Sequence, residues 1–561
     1  MSASGLKLLL RSKLRTVDAK VLLLSLSLLA ALCAYRFYSY LVTGFFVSDE
    51  FGYYYNAANG TVYGDRWFFG WLNVFLFDIF RIRTPDAFAF FLPYYLFFWG
   101  GATVCVFYLL LKSQGFDELT VALSVVSSFV LVSFILLSLG FLTESEGLCM
   151  AMLGIYGLVR FLKSYKELGR FFWLVFAALF LGFAGGTREP YVALELGAIL
   201  VVVIAAIKHP VKIRAGRYGA TGVAALSILF FLVPTGLMLY ANTATTSTVA
   251  PLATDILKNI LSNAPPPVKV SSVSLSGAPV LSNTMLIFIG GIFLGWGPIA
   301  FPLALIGLII LIRTTLRRDP KALALLILAL SALASDLVVS FLFGPDPTYF
   351  TFTNYSTIIR FSGTALPAFF LTAPLFLAIV ARRKRRVVGL LGVVIASLLI
   401  LVPVYQVLAI SNLGYVTVSP FGLDYRSPAV QVRDYVNSHE SEAPFHIIGV
   451  PYGWYFTPGV DGLKSVDVYS PSSGGTLSPV LNYSAFVSMR WTQFYLYSSS
   501  NFVTEKSNSP YVLQFIPGAP YVATNQTAPF TITNSTIEIR NHDFLFTKVD
   551  LTWTNAPPLK K

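Results

Sequence analysis

The 561-residue chain is 55% hydrophobic and 15% aromatic, only 12% charged, and has a mean hydropathy of +0.69. A soluble domain is about half apolar and about a quarter charged, so the composition excludes one and indicates a polytopic membrane protein. The net charge of +13 would point to nucleic acid in a soluble chain, but here lysine and arginine gather in short clusters between apolar runs, the pattern that orients membrane helices.

The N-terminal residues Lys7, Arg11, Lys13, Arg15 and Lys20 precede an apolar run at 21–46. That run is too long for a signal-peptide core and lacks a small-x-small cleavage site at its end, so it predicts a retained first helix with a cytoplasmic N-terminus. A spanning helix needs about 20 mostly apolar residues, and this rule yields about eleven spans. They fall near 21–46, 87–111, 119–142, 147–162, 171–187, 190–207, 219–241, 284–312, 322–343, 362–381 and 387–410. The connections after even-numbered helices hold Lys112, then Arg160 to Arg170, Lys208 to Arg217, Arg313 to Lys321, and Arg382 to Arg386. All are basic, whereas the odd-numbered ones are poor in lysine, as a cytoplasmic N-terminus requires. The stretch from Trp67 to Phe80 is apolar but short, carries Asp78 and is flanked by Arg66 and Arg81. Counted as a span it would reverse every later sign, so it is expected to lie in the outer interface.

The predicted fold class is thus an α-helical polytopic membrane protein of about 11 transmembrane helices over 1–411. A polar C-terminal region, 412–561, follows on the extracytoplasmic side and is expected to be an α/β or mostly β domain, with a helix at 428–437 and strands at 445–450, 511–516 and 544–551. A long outer loop at 242–284, containing Pro265-Pro266-Pro267, is suited to act as a lid. Cys33, Cys105 and Cys149 all stand in apolar runs, which leaves no disulfide framework or cysteine metal cluster. Sequons at Asn59, Asn354, Asn482, Asn525 and Asn534 are compatible with the outer side.

Polar clusters converge on that side. The first outer loop opens with Ser48-Asp49-Glu50, followed by Phe51-Gly52-Tyr53-Tyr54-Tyr55. After the third helix comes the turn Thr143-Glu144-Ser145-Glu146, and after the fifth Gly185-Gly186-Thr187-Arg188-Glu189-Pro190, beside Tyr191. A segment with Tyr355 and Arg360 leads into the tenth helix. Asp49 is placed either to accept a proton from a hydroxyl or to bind a divalent cation through oxygen, the plain alternative being a solvated loop. Glu144 and Glu146 could supply a second acidic wall. Arg66, Arg81, Arg83, Arg188 and Arg360 are outer-face guanidinium groups, suited to phosphate, to lipid headgroups, or in the case of Arg188 to a structural pair with Glu189. His209, His439, His446 and His542 have no metal-ligand spacing, so general-base work falls to carboxylates. Glu195 and Asp336 lie deeper in apolar runs, as packing partners or as an ion route.

An acidic pair opening the first outer loop, an acidic turn after the third helix and a Thr-Arg-Glu-Pro turn after the fifth resemble the GT-C superfamily. These are membrane glycosyltransferases that use polyprenyl-phosphate sugars, protein O-mannosyltransferases and lipid A aminoarabinose transferases among them. The resemblance covers the layout of about 1–410 and rests on short motifs placed by topology. It implies an inverting transfer of a sugar from a polyprenyl-phosphate donor to an acceptor hydroxyl on a glycan, lipid or protein at the outer face. Asp49 would be the base or a metal-site carboxylate with Glu50 in support, and Glu144 or Glu146 the second acid. Arg188, Arg360 and Arg66 would meet the donor phosphate, with Glu189, Tyr191 and Tyr355 supporting. A divalent metal, Mg or Mn, would sit on Asp49 and Glu144. The oligosaccharyltransferase branch carries Trp-Trp-Asp in its soluble domain; Gly453-Trp454-Tyr455 here has no Asp after it, which speaks against en bloc transfer to asparagine. Two other classes stay open: a lipid-linked-sugar flippase or secondary transporter working through Glu195 and Asp336, and a non-catalytic anchor for envelope assembly.

Overall fold

The computed structural model describes residues 16–43, 53–54, 56–58, 60, 66–83, 85–163, 167–208, 236, 280–317, 319–343 and 359–383, together with the backbone of eight strands between 445 and 553. Asp49, Glu50, Tyr355, the loop at 242–279, the helix expected at 219–241 apart from residue 236, and those expected at 387–410 and 428–437 lie outside these residues. The chain divides into two units, Met1–Arg36 with Thr61–Leu76 and Leu92–Leu413, and Phe37–Gly60 with Phe77–Phe91 and Gly414–Lys561.

The helices are α1 Val17–Thr43, α2 Trp67–Phe80, α3 Pro85–Gln114, α4 Glu118–Ser128, α5 Val132–Leu139, α6 Thr143–Lys163, α7 Glu167–Thr187, α8 Val192–Lys208, α9 Val280–Leu316, α10 Pro320–Phe343 and α11 Leu366–Arg383. Short 3₁₀ turns, Glu189–Tyr191 and Ser362–Ala365, precede α8 and α11. Among the described residues, six helical stretches are long and apolar enough to cross a membrane, Val17–Phe37, Ala87–Gln114, Thr143–Lys163, Ile287–Leu316, Pro320–Ser340 and Ile359–Arg382. The pair α4 and α5 is apolar enough when taken together but is bent by 66° at its break, as in a broken span or a re-entrant loop. A multi-pass membrane protein follows from these helices.

The run at 119–142 is thus two half-helices rather than one span. Asp117 caps the first, accepting from the Thr120 amide at 3.0 Å and its hydroxyl at 2.8 Å. Burial acts to raise the Asp117 carboxyl, and the bonds from Thr120 together with those from the Asp117 and Leu119 amides hold the group below its ordinary value. α9 is broken as well, at Gly297 with φ +80°, followed by Pro298. Only glycine adopts that backbone without strain, and the proline removes a helical donor.

The long helices of the first unit have two distinguishable ends. At one, Lys112 at the end of α3 meets buried Asp18 at the start of α1 at 2.7 Å, with the Tyr108 hydroxyl donating to the same carboxylate at 3.2 Å. The Lys163 ammonium at the end of α6 donates to the Ser113 carbonyl on that side. Thr143, which opens α6, lies roughly 30 Å away by helical rise.

α2 is a 14-residue helix, as its sequence predicts. Trp71, Phe75 and Ile79, four residues apart, share an exposed face, and Phe69 and Asn73 are buried. In the second unit the chain turns at Arg81, whose φ of 53° is left-handed, with the Ile82 amide donating to Phe77 O at 2.8 Å. This six-to-one bond closes the helix in the way glycine usually does. Arg81→Gly is therefore expected to stabilise the protein by about 1 kcal/mol. An unchanged or lower melting temperature would count against the strain. The Tyr54 hydroxyl donates to Arg83 O at 3.2 Å and Arg83 Nη1 to Ala58 O at 2.6 Å, so Tyr54 and Ala58 are held to this turn.

The eight strands form one mixed sheet in the order β3 (Leu477–Ser478), β2 (Asp467–Tyr469), β1 (Phe445–Ile448), β4 (Phe494–Ser498), β6 (Tyr511–Phe515), β8 (Phe544–Trp553) and β5 (Ser507–Asn508), with β7 (Phe530–Asn541) also paired to β8. β1 Phe445–Ile448, β6 Tyr511–Phe515 and β8 Phe544–Trp553 fall where alternation predicts strands. β1 runs parallel to β2, Asp467–Tyr469, and the other pairings are antiparallel. The longest, β7 Phe530–Asn541 against β8, carries two register shifts.

Candidate functional site

The turn expected at Thr143–Glu146 is the first turn of α6. Carboxylates are favoured there by the free amides and the positive end of the helix dipole. The helical conformation also separates them. Residues two apart on a helix point about 200° apart, so Glu144 and Glu146 address different neighbours rather than forming a single face.

Glu144 is fully buried. Its Oε1 accepts from Arg360 Nε at 2.7 Å and meets Arg188 Nη2 at 3.1 Å, and the Thr143 hydroxyl donates to its Oε2 at 3.0 Å. Arg66 adds a third positive charge within electrostatic reach. Arg188 and Arg360 are only 6% and 7% exposed, and both guanidinium groups stand over the Phe361 ring, at 5.7 and 5.8 Å from its centroid. Arg188 Nε has no partner among the described residues.

Each arginine is placed by a break in helical structure. α7 ends at Thr187, Arg188 takes an extended conformation with φ −147°, and the 3₁₀ turn Glu189–Tyr191 starts α8. The Arg188 amide still donates to Ala184 O at 2.8 Å, and its carbonyl accepts from the Tyr191 amide at 3.0 Å. Gly147 lets α6 approach this turn, since a Cβ there would stand 2.8 Å from Tyr191 Cε2 and 3.4 Å from Arg188 Cβ. Arg360 directly precedes Phe361 and the 3₁₀ turn Ser362–Ala365.

Glu146 faces α2 and α3. Asn73 Nδ2 donates to its Oε1 at 3.0 Å, and the Tyr95 hydroxyl donates to the same oxygen. Glu146 Oε2 and Asn73 Oδ1 have no partner among the described residues. Sequence reasoning overlooked Asn73 and Tyr95. A lone amide in the apolar run of α2 was the available signal, because such a group needs a partner when buried. It also overlooked Arg36 of α1, 2% exposed, whose Nε donates to Leu139 O at the end of α5 at 3.0 Å.

Tyr191 is buried beside the triad, and its hydroxyl has no partner among the described residues. Glu189 is half-buried. Asp336, buried on α10, accepts from the Thr364 hydroxyl at 3.5 Å, and Glu195 is buried near the start of α8. A metal does not fit Glu144 as it stands: its carboxylate already serves two arginines and a threonine, and a dication would meet three neighbouring cations. The described residues contain no group of three or more histidine, cysteine or acidic side chains able to hold a metal.

None of the curated proteins matches this chain. Residues 83–250, about 30% of the chain, match the family model described as dolichyl-phosphate-mannose-protein mannosyltransferase, PMT. The matched segment contains Glu144, Glu146 and Arg188, and as far as Lys208 it covers α3 to α8. Residues 83–250 thus match a PMT family domain of the GT-C superfamily, and the match indicates a membrane glycosyltransferase.

Proposed function

We propose that the protein moves a sugar from a polyprenyl-phosphate donor to an acceptor hydroxyl, with inversion, at the membrane face where α6 begins and α7 ends. The observation that carries the reading is the pair of largely buried guanidinium groups, Arg188 and Arg360, held side by side on the Glu144 carboxylate, with Arg66 within electrostatic reach. Guanidinium groups placed in this way suit a phosphate in two-pronged contact. The matched family's name speaks of a dolichyl-phosphate sugar and a protein acceptor, which favours a polyprenyl-phosphate donor and a protein hydroxyl here.

In this reading the donor's tail stays in lipid and its phosphate lies against Arg188 and Arg360. Asp49 takes the proton from the acceptor hydroxyl as its oxygen attacks the anomeric carbon. The bond from that carbon to the phosphate oxygen breaks, and the arginines meet the charge left on the departing phosphate. Glu144 is a positioning residue that holds the two guanidinium groups side by side. The N-terminus is cytoplasmic and the site is on the opposite side, in line with the basic connections beside Lys112 and Lys163. Residues 412–561 are assigned to that outer side as an acceptor-binding domain.

The test is sugar transfer from labelled polyprenyl-phosphate sugars in membranes containing wild-type protein or Asp49→Asn, with products followed by mass spectrometry. The variant, expressed to the same level, is expected to lose roughly 10²- to 10⁴-fold in rate. Equal transfer by both proteins would remove Asp49 from the chemistry. Failure of the wild type with every donor would overturn the reading.

A further inference from the structure

The half-helix α5 touches both sides of the Glu144–Arg360 pair. On one side, Ser145, next to Glu144, donates its hydroxyl to Leu137 O at 2.5 Å and lies 3.3 Å from Gly140 O. On the other, Leu137 packs under Gly363, where a Cβ would stand 2.5 Å from Leu137 Cδ1. Four residues earlier on α5, the buried Ser133 hydroxyl donates to Gly295 O at 3.0 Å. Gly295 belongs to the turn of α9 that breaks at Gly297, and a side chain there would overlap the Ser362 hydroxyl and crowd Ile359 O at 3.3 Å. The Ser362 hydroxyl in turn donates to Ile359 O at 2.7 Å. The residues on either side of Arg360 are therefore seated on the broken turn of α9, and that turn is tied to α5 by one hydroxyl.

We propose that Ser133 and Ser145 are positioning residues for donor-phosphate binding, setting the distance between Arg360 and Glu144 through α5. The inference rests on the phosphate reading of Arg188 and Arg360. Its physical basis is that α5 is free to serve as a separate rigid spacer. The 66° bend after α4 uncouples it from the preceding half-helix. It also ends at Gly140, which is extended, just before α6. Between these breaks the side chains from Ser133 to Leu139 are all buried, so α5 shifts as one packed piece and its polar bonds set where that piece sits. A serine hydroxyl that satisfies a carbonyl at a helix break supplies such a bond, with a direction that apolar packing lacks.

The test is a double-mutant cycle on binding of a polyprenyl phosphate without sugar, titrated into purified full-length protein in nanodiscs. Wild type, Ser133→Ala, Ser145→Ala, Arg360→Lys and the two serine–Arg360 double variants are compared, with melting temperature measured alongside. Each serine variant is expected to weaken binding roughly five- to tenfold. In the Arg360→Lys background the same change is expected to weaken it less than about twofold, because the arginine it positions is gone. Ser133→Thr, which keeps a hydroxyl, should bind within about threefold of wild type. Additive losses would overturn the proposal, as would a lowered melting temperature with unchanged affinity, which is the signature of a purely structural bond. Absence of binding by wild type would overturn the phosphate reading itself, and the positioning role with it.

Discussion

Glu144→Ala is expected to destabilise the protein by about 3–5 kcal/mol, because it strips two buried guanidinium groups of the carboxylate they share. The cost arises from uncompensated charge rather than from a lost contact, and this makes a second expectation. The triple variant Glu144→Leu, Arg188→Met, Arg360→Met removes charge and counter-charge together, and should recover much of the melting temperature that Glu144→Ala loses. It should also fail to bind a polyprenyl phosphate, since no guanidinium pair remains. Glu144→Gln keeps an acceptor oxygen without the charge and should fall between the two. Thermal unfolding in detergent with a phosphate-binding titration measures both effects. A Glu144→Ala protein as stable as wild type would show that the triad is not what holds α6, α7 and the start of α11 together at this end.

Gly154→Leu should be about as damaging, through shape alone. α6 meets α7 along Gly154 and Gly157. A Cβ at Gly154 would stand 2.5 Å from Leu181 Cγ and 3.1 Å from the Leu181 amide nitrogen, and one at Gly157 would be 3.1 Å from the Ala177 amide nitrogen. Backbone cannot give way as a flexible side chain can, so the helices must separate. Small residues at such crossings give lipid-embedded helices the close contact that replaces the hydrophobic effect. A loss of about 3 kcal/mol or more is expected. Residual activity should fall as well, since Arg188 follows the last turn of α7 directly and would shift from Glu144. Gly290→Ala on α9 is the contrasting variant. Nothing lies within 4 Å of a Cβ there, so it should be neutral or gain up to about 1 kcal/mol of helix propensity. Equal losses from both variants would sink the packing argument.

Much of the helical layout was legible in the sequence. The runs at 87–111 and 322–343 are helices at Pro85–Gln114 and Pro320–Phe343, because solvation by lipid is a property each stretch carries in its own side chains. The separate short helix at Trp67–Phe80 followed from the same count, together with the alternation of basic connections. The break inside 119–142 was not legible. Val130, Leu131 and Val132 are as apolar as their neighbours, and hydropathy does not register direction. Arg188 and Arg360 were visible as charges where charges are expensive, but their partner was not. Glu144 and Glu146 read alike in sequence, and only the helical turn on which they sit sends one to arginines and the other to Asn73 and Tyr95.

By itself, then, the sequence determined that this is a multi-pass membrane protein, where most of its apolar helices run, and that acidic and basic groups gather between them. Each of these depends on the transfer free energy of a local stretch between water and lipid. Tertiary structure alone decided that Glu144 joins Arg188 to an arginine 216 residues away. It alone decided that Asn73 and Tyr95 satisfy Glu146, and that a serine in an apolar half-helix closes the broken turn of α9. A buried polar group must find its partner wherever the fold brings one within about 3 Å, and nothing in the spacing of residues along the chain encodes that meeting.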